Sequence, residues 1–258
     1  MDFSVFKNKY FIEGELVVLT ALHIGSGKEE GEHDAPFMSE DGNFYIPGSS
    51  FRGYLRTKLE RFLLDENNFK FKDKKTQDIL NMADVLLLFG YTNLFTDKDN
   101  GTNVIERVQK KLAFTDKEKD SFSSMAGRIH IADMPIVSNV NSVRRDGIKI
   151  DRNTGSTEAG AKFDYDIIPA GSKFKFAIEL ENVEEYQLDL IALALKDIYD
   201  EGDLFGGKLS RGIGKCQLKE LKIQYVDKNN MKNYIFKNSK VDMKKDDFFK
   251  FANLELVD

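Results

Sequence analysis

The chain has 258 residues, 41% of them hydrophobic, which is enough for one large domain or two small ones and argues against disorder along the whole chain. Its formal net charge is −5, from 38 Lys and Arg against 43 Asp and Glu, which argues against simple non-specific nucleic-acid binding but allows a local basic groove. A single cysteine excludes a disulfide framework and a cysteine-based zinc site. The polar N-terminus and the short apolar runs predict a cytoplasmic protein without a membrane span.

The first predicted elements are a buried strand and a capped helix. Residues 10–20 are apolar and β-branched, a composition typical of a buried strand. A Pro-Gly turn then precedes Ser49 and Ser50, either of which can cap a helix. That helix would place Arg52 and Arg56 one turn apart, on a different face from an apolar stripe. The stripe consists of Leu55, Leu59, Phe62 and Leu63.

The middle of the chain predicts an insertion, two strands and a second helix. Residues 65–125 are rich in charged and loop-forming residues, and we expect them to form an insertion outside the core. Residues 127–137 and 172–181 alternate between apolar and polar side chains, which predicts two strands. Residues 183–202 have the pattern of an amphipathic helix that ends at a glycine.

The last predicted core element is a strand at about residues 214–225. Its alternation slips by one residue near Lys219 and Glu220, which indicates a β-bulge, and Cys216 falls within it as a small core residue. Without the insertions the order of elements is β-α-β-β-α-β, so the sequence predicts an α+β domain with a ferredoxin-like core. The charged extension at 226–258 is expected to be peripheral.

Residues 140–170 predict a long β-hairpin that extends from this domain. Ile148 and Ile150 alternate with polar residues, a turn sequence follows at 153–155, and residues 163–167 alternate on the way back. Few of these residues have the periodicity of core elements. A hairpin of this kind is typical of an arm that touches a partner.

Residues 204–215, with the sequence LFGGKLSRGIGK, combine four glycines with basic and hydroxyl side chains. Glycine at this density indicates a sharp bend, or a close approach of the backbone to another group. A Walker A loop is excluded because Cys216 stands where the magnesium-binding Ser or Thr is needed. A dinucleotide fingerprint is excluded because a strand follows instead of a helix. The loop is therefore either a simple turn or a phosphate-binding surface for a polynucleotide.

Four segments carry a family resemblance, and they occur in the order LHIGSG, IPGSSFRGYLR, RDGIKIDRNTGSTEAGAKFDYDIIPAG and FGGKLSRGIGK. Over about residues 10–225 the chain resembles the RAMP superfamily of CRISPR-associated proteins, and more narrowly the backbone subunit of type III CRISPR effector complexes. The resemblance implies one modified RRM-like, ferredoxin-like domain over 1–225, with a lid insertion at about 65–125 and a protruding thumb hairpin at about 140–170. It also implies that copies of the chain stack along a guide RNA, beside other subunits. These copies would cut the single-stranded target RNA that pairs with the guide.

The resemblance also implies a set of RNA-binding residues. Basic side chains and the exposed N–H groups of a helix start are suited to guide phosphates, although solvated surface charge is the ordinary alternative. The hairpin would interrupt the guide–target duplex, with Ile148 and Ile150 wedged between bases. The expected RNA-binding residues are His23, Ser49, Ser50, Arg52, Arg56, Arg145, Arg152, Lys208 and Arg211.

The resemblance assigns cleavage to Asp34. Taken alone, a loop aspartate is usually just solvated, and Glu29, Glu30 or Glu32 could be the functional carboxylate instead. RNA supplies its own nucleophile, the 2′-hydroxyl, so one carboxylate that moves a proton or places a metal ion would suffice. No paired aspartates or histidine cluster mark a metal site, so we expect any Mg²⁺ or Mn²⁺ to be held mainly by RNA phosphates.

Two other functions stay open from the sequence. The first is a non-catalytic RNA-binding subunit that caps the guide RNA in the same kind of complex. The second is a guide-processing ribonuclease in which His23 acts as a general base. A structural or RNA-contacting role for His23 is favoured over the second, because no other histidine or suitable partner lies near it in the sequence.

Overall fold

The computed structural model of the chain describes residues 5–27, 35–64, 70–91 and 124–257. The helices in this part of the chain are α1 (Gly48–Leu64), α2 (Met82–Phe89), α3 (Glu185–Asp200), α4 (Met231–Lys237) and α5 (Lys245–Phe248). None of the helices in the described ranges has the length and apolar character needed to cross a membrane.

The strands within the same ranges form one central sheet and several small two- or three-stranded pairings. In chain order they are β1 (Asn8–Val18), β2 (Ser39–Glu40), β3 (Asn43–Ile46), β4 (Lys70–Asp73), β5 (Gly90–Tyr91), β6 (Met125–Ala126), β7 (Ile129–Ile131), β8 (Met134–Pro135), β9 (Val143–Ile150), β10 (Thr157–Ile167), β11 (Lys173–Glu181), β12 (Asp203–Leu204), β13 (Lys215–Asp227), β14 (Val241–Met243) and β15 (Leu254–Val257).

The central sheet has the predicted ferredoxin-like order. Its four core strands lie side by side as β13-β1-β11-β7, and all of their pairings are antiparallel. Along the chain these strands and the two long helices follow as β1-α1-β7-β11-α3-β13. The register places Ile12 between Ile178 and Ile223, so apolar side chains from three strands meet on one buried face. The α+β class and the β-α-β-β-α-β core predicted from the sequence are confirmed.

The predicted bulge is present in β13. Glu13 pairs with Lys222 and Glu15 pairs with Lys219, so Gly14 alone faces two residues of β13. Glu220, one of those two residues, has a φ of 51°, in the left-handed region. A Cβ at position 14 would lie 2.8 Å from the Lys219 carbonyl oxygen, so the bulge requires glycine there. The slip in alternation was therefore a correct signal of backbone geometry.

The two long helices cover the sheet with the side chains that the sequence predicted. Leu55, Leu59 and Leu63 of α1 are buried, whereas Phe62 is only partly buried. The main cluster of buried side chains also includes much of α3 and the alternating inward residues of β11. Cys216 lies in this core, and burial raises the pKa of its thiol to about 12. It is the small core residue that the alternation indicated.

The strand predicted at 127–137 is interrupted. β7 stays in the central sheet, whereas β8 leaves it to pair with β3. Between them, the Asp133 carboxylate accepts a hydrogen bond from the Gly48 N–H at 2.7 Å. This contact ties the break in the predicted strand to the first residue of α1, and the local alternation does not reveal it.

Part of the predicted insertion belongs to the core, contrary to the expectation for 65–125. α2 begins with a capping box at Asn81, and it buries its apolar side chains, among them Val85, Leu88 and Phe89, in the main cluster. The interpretation from charge density missed this helix because a short apolar run lies between highly charged segments. Residues 65–69 and 92–123 lie outside the described ranges, and the role of a lid remains a prediction.

The C-terminal extension is also less peripheral than expected. β14 pairs with β13 on the central sheet, and β15 pairs with β4. Phe248 and Leu254 are buried in the main cluster. The charged composition of the extension hid these few apolar anchors, whose burial depends on strands that are distant in sequence.

The long hairpin predicted from the sequence is formed by β9 and β10, which pair antiparallel. Its turn is held by the Asp151 carboxylate, which accepts the Asn153 N–H at 2.7 Å, and by Gly155, which has a φ of 69°. At the base of the hairpin a small cluster anchors it to the domain. The cluster consists of Tyr165 and Ile167 with Ala21 and Ile213.

Candidate nucleic-acid interface

The glycine-rich loop between β12 and β13 bends sharply, as its composition predicted. Lys208 and Gly212 both have left-handed backbone angles and flank a short 3₁₀ turn at Leu209–Arg211. A Cβ at Gly206 would lie 2.7 Å from the His23 carbonyl oxygen, and one at Gly214 would lie 2.7 Å from the Phe205 carbonyl oxygen. The first partner of these glycines is therefore the protein's own backbone.

The same loop presents basic side chains to solvent. Lys208, Ser210 and Arg211 are exposed, whereas Phe205 and Ile213 on either side are buried and anchor the loop. The Lys208 ammonium lies 5.3 Å from the centre of the Phe163 ring and 5.4 Å from that of Tyr165. Lys208 therefore joins the glycine-rich loop to the base of the hairpin through a cation–π contact.

A groove of about 760 Å³ runs between this loop and one face of α1. Its floor on the helix side is a stripe with helical spacing: Ser50, Gly53, Thr57 and Arg61. Gly206, Gly207 and Leu209 line the opposite side. The structure thus brings Ser50 together with the glycine-rich loop, and it adds Arg61, an exposed residue that the sequence analysis missed. The helical spacing of small and polar residues along α1 was the sequence signal that could have identified Arg61.

Arg52 and Arg56 do not line this groove. The Arg52 guanidinium donates a hydrogen bond to the Phe89 carbonyl oxygen at the end of α2 and lies 5.6 Å from the centre of the Phe89 ring. Burial, together with the nearby charge of Arg56, lowers the pKa of Arg52. Arg56 pairs with Glu60 at 2.8 Å. Both arginines thus have partners within the protein. The RNA contacts predicted for them, if formed, would lie outside the groove.

The start of α1 differs from the predicted serine cap. The helix begins at Gly48, whose N–H is taken by Asp133, and a Cβ at Gly48 would lie 2.2 Å from the Ile131 carbonyl oxygen. Ser49 is exposed and Ser50 is partly exposed, so the first turn still faces solvent next to the groove. A carboxylate satisfies the first N–H of the helix, and the Ser50 and Phe51 N–H groups donate to the Pro47 carbonyl oxygen, so these three N–H groups already have partners within the protein.

A cluster of polar side chains ties the beginning of the glycine-rich loop to α1. Lys58 lies 2.7 Å from the Asp197 carboxylate and 2.8 Å from that of Asp203, and the Tyr54 hydroxyl donates to Asp203 at 2.5 Å. Burial acts to raise the pKa of Asp203, but the hydrogen bonds from Lys58 and Tyr54 outweigh it and lower that pKa. Burial, followed by the contact with Asp203, raises the pKa of Tyr54. Lys58 therefore keeps two carboxylates that border the groove paired with a cation.

His23 is buried beneath this site, with 5% of its surface exposed. Its Nδ1 lies 2.7 Å from the backbone carbonyl oxygen of Asp166 in the hairpin, and its ring meets Tyr165 edge-on with centroids 5.4 Å apart. Its own carbonyl oxygen accepts the Gly207 N–H at 2.8 Å. These contacts give His23 a structural position, which is one of the roles that the sequence allowed.

Asp34 lies outside the described residues, as do Glu29, Glu30 and Glu32. The residue after Asp34 is described: the Ala35 carbonyl oxygen accepts the Asp166 N–H at 3.0 Å. Among the residues that the structure describes, no group of three or more His, Cys, Asp or Glu side chains is arranged to hold a metal ion.

The basic residues predicted on the hairpin are exposed. Arg145 lies opposite Tyr165 in the β9–β10 pairing, and Arg152 lies at the turn. Ile148 and Ile150 expose 52% and 57% of their surface, which is unusual for isoleucine and leaves both side chains available to a partner.

Comparison with known proteins gives consistent matches over most of the chain. The family model of the RAMP superfamily matches residues 15–217, a range that contains every candidate site residue named above. One relative is the CRISPR system Cms endoribonuclease Csm3 of Methanocaldococcus jannaschii, 26% identical over 238 residues that cover 86% of this chain and 84% of the relative. The protein of the same name from Methanothermobacter thermautotrophicus is 27% identical over 237 residues, which cover 85% and 87%. That from Enterococcus italicus is 25% identical over 223 residues, which cover 81% and 89%.

Proposed function

The chain belongs to the RAMP superfamily, and from this premise we propose that it is a guide-RNA-binding backbone subunit of a type III CRISPR effector complex that cleaves paired target RNA. The names of three relatives, each aligned over at least 81% of this chain, describe CRISPR endoribonucleases. The observation that carries the proposal for this chain is the groove between the glycine-rich loop and α1.

The groove is suited to the backbone of a guide RNA. Arg61 lines it on the helix side, and Lys208 and Arg211 are exposed on the glycine-rich loop that forms the opposite side. Phosphates placed between them would release counterions, which makes binding sensitive to salt. Contacts of this kind position an RNA strand without reading its sequence, as a subunit that accepts any guide requires.

Cleavage in this proposal depends on Asp34. The following residue, Ala35, is hydrogen-bonded to Asp166 at the base of the hairpin, so the loop that carries Asp34 ends beside that base. The exposed Ile148 and Ile150 of the hairpin would displace nucleotides of the duplex, and a displaced nucleotide can reach the in-line geometry that attack by a 2′-hydroxyl requires. A divalent ion such as Mg²⁺ or Mn²⁺, held mainly by RNA phosphates with Asp34, would stabilise the charge that develops on phosphate oxygens.

The partners in this proposal are the guide RNA, the single-stranded target RNA, further copies of the same chain and other subunits of the complex. If the copies stack along the guide, each would bring one carboxylate, one hairpin and one groove. Cuts would then recur at a regular interval, once per copy.

The test is cleavage by purified complexes that contain Asp34→Ala, Asp34→Asn or, as a control, Glu40→Ala. Glu40 is an exposed carboxylate in β2, a short distance along the chain from Asp34. We expect both Asp34 variants to lose about 10²–10⁴-fold in cleavage rate and to keep guide content and target affinity, because losing a positioned acid–base group has this cost. The control should cut normally.

Normal cleavage by the Asp34 variants would contradict the assignment. A variant in which Glu29, Glu30 and Glu32 are all replaced by alanine is then compared. Loss of cleavage would assign catalysis to one of these neighbouring carboxylates, and retained cleavage would favour the non-catalytic, guide-capping alternative. A complex that never cuts target RNA and holds one copy of the chain per guide would support the latter.

A further inference from the structure

We infer that His23 is a positioning residue, which holds the guide-binding loop and the hairpin base in one arrangement and, through Asp166, the residue that follows Asp34. The inference rests on the proposed function, because the property that His23 is expected to set is the rate of RNA cleavage. Two segments that are far apart in sequence, the hairpin base and the glycine-rich loop, contact His23 directly, and the residue that follows Asp34 is hydrogen-bonded to the first of them.

The ring of His23 holds the hairpin. A carbonyl oxygen can only accept a hydrogen bond, so the short contact between Nδ1 and the Asp166 oxygen, 2.7 Å, requires the proton on Nδ1. The N–H of the same residue, Asp166, donates to the Ala35 carbonyl oxygen at 3.0 Å. Asp166 is therefore held on one side by His23 and itself holds the residue that follows Asp34. A displacement of the imidazole would therefore be transmitted through Asp166 to Ala35.

The backbone of His23 holds the glycine-rich loop. Its carbonyl oxygen accepts the Gly207 N–H at 2.8 Å, and the absence of a side chain at Gly206 allows this approach. A Cβ at Gly207 would lie 3.2 Å from Cδ2 of the imidazole, so the loop also rests on the ring itself. One residue thus touches both the proposed guide cradle and the base of the hairpin.

This environment favours positioning over the two other roles considered for His23. The ring is 5% exposed and packs edge-on against Tyr165, so it is not presented to a phosphate or to a 2′-hydroxyl. Attack within RNA is sensitive to alignment, and a misplacement of about 1 Å can cost about 10²-fold in rate. The loss of a buried donor would leave the Asp166 carbonyl without that bond and loosen this part of the hairpin base, whose apolar cluster would remain.

The experiment compares effector complexes that contain His23→Ala, His23→Gln or His23→Asn. The amide nitrogen of asparagine can replace Nδ1 as a donor, whereas that of glutamine reaches the place of Nε2. In single-turnover cleavage of a guide-matched target RNA, we expect the alanine and glutamine variants to be slower by about 10- to 100-fold. The asparagine variant should stay within about threefold of the wild type, and all three should keep normal guide content and target affinity.

Each other result overturns the inference. Wild-type rates in the alanine and glutamine variants would show that the contact is dispensable for cleavage. An asparagine variant as slow as alanine, with guide and target bound normally, would assign the effect to Nε2 and to acid–base chemistry. Failure of the alanine and glutamine variants to assemble with guide RNA would place His23 in folding or guide retention instead.

Measuring Asp34→Ala in parallel distinguishes a failure of the inference about His23 from a failure of the proposed function. If the wild type cuts, Asp34→Ala does not, and His23→Ala cuts normally, only the inference about His23 fails. If Asp34→Ala cuts like the wild type, or the wild type does not cut at all, the proposed function fails and the inference falls with it.

Discussion

Replacing Lys58 with methionine tests whether the cluster beside the groove stabilises the fold. Lys58 is 12% exposed and lies within 2.8 Å of Asp197 and Asp203, whose side chains are 63% and 31% exposed. An exposed ion pair contributes about 0.2–1 kcal/mol, whereas breaking a buried one costs about 3–5 kcal/mol. The pair with Asp203 is intermediate, so we expect the free energy of unfolding to fall by about 2 kcal/mol. For a domain of this size, that lowers Tm by about 4–8 °C.

The sign of the pH dependence follows from the pKa of Asp203, which is lowered in the folded state. Its ionised form therefore contributes stability above the unfolded pKa, and this contribution is lost as the pH falls through the folded value. Lys58→Met removes the Lys58 hydrogen bond and charge that help to lower this pKa, so the pKa of Asp203 rises relative to the wild type and the ionised carboxylate loses much of its compensation for burial at neutral pH. The difference in Tm between the wild type and Lys58→Met should be largest near pH 7 and should narrow below about pH 3–4.

Thermal unfolding followed by far-UV circular dichroism suits this test, because the chain has no tryptophan. Lys58→Met with Asp203→Asn should recover most of the lost stability, since the double variant removes the carboxylate left without its lysine. Lys237→Met, at an exposed position on α4, is the matched control. A Tm of Lys58→Met within about 1 °C of the wild type at pH 7, or a double variant no more stable than the single one, would refute the reasoning.

Three further predictions concern the groove, the sheet and α1. Arg61→Glu should reduce the guide RNA retained by the purified complex and flatten the salt dependence of binding by about one unit of slope. Lys237→Glu, at an exposed position on α4 outside the groove, should have neither effect, and equal losses in both variants would argue against the groove as the guide path. Gly14→Ala should lower the free energy of unfolding by about 1–3 kcal/mol, because its Cβ would lie 2.8 Å from the Lys219 carbonyl oxygen. Gly53→Ala, in a helix and with open space around its Cβ, should raise it by up to about 1 kcal/mol, and urea unfolding distinguishes the two.

Local periodicity was sufficient to predict the central strands and the two long helices of the core. The alternation of β11, the apolar stripe of α1 and the one-residue slip at Glu220 each depend on neighbours within a few positions along the chain. Their order then limited the fold to a ferredoxin-like sheet, because few topologies satisfy β-α-β-β-α-β. The hairpin of β9 and β10 was equally readable, since its turn residues and its returning strand lie in one continuous segment.

The partners of individual side chains were decided by tertiary structure. Arg52 and Arg61 have the same charge and lie in the same helix, yet Arg52 caps α2 and Arg61 borders the groove. α2 itself was assigned to an exposed insertion, because the surface that buries it comes from segments elsewhere in the chain. No local pattern states which face of a helix will meet which segment.

His23 shows this division most clearly. The sequence by itself determined that a histidine stands in a loop after a buried strand, with glycines and an aspartate near it. Only the folded chain placed its ring against Asp166 and its carbonyl against Gly207, which are separated from it by more than half of the sequence. The reason is physical: secondary structure arises from short-range backbone geometry, whereas the burial and hydrogen bonding of one side chain depend on long-range packing of all the elements around it.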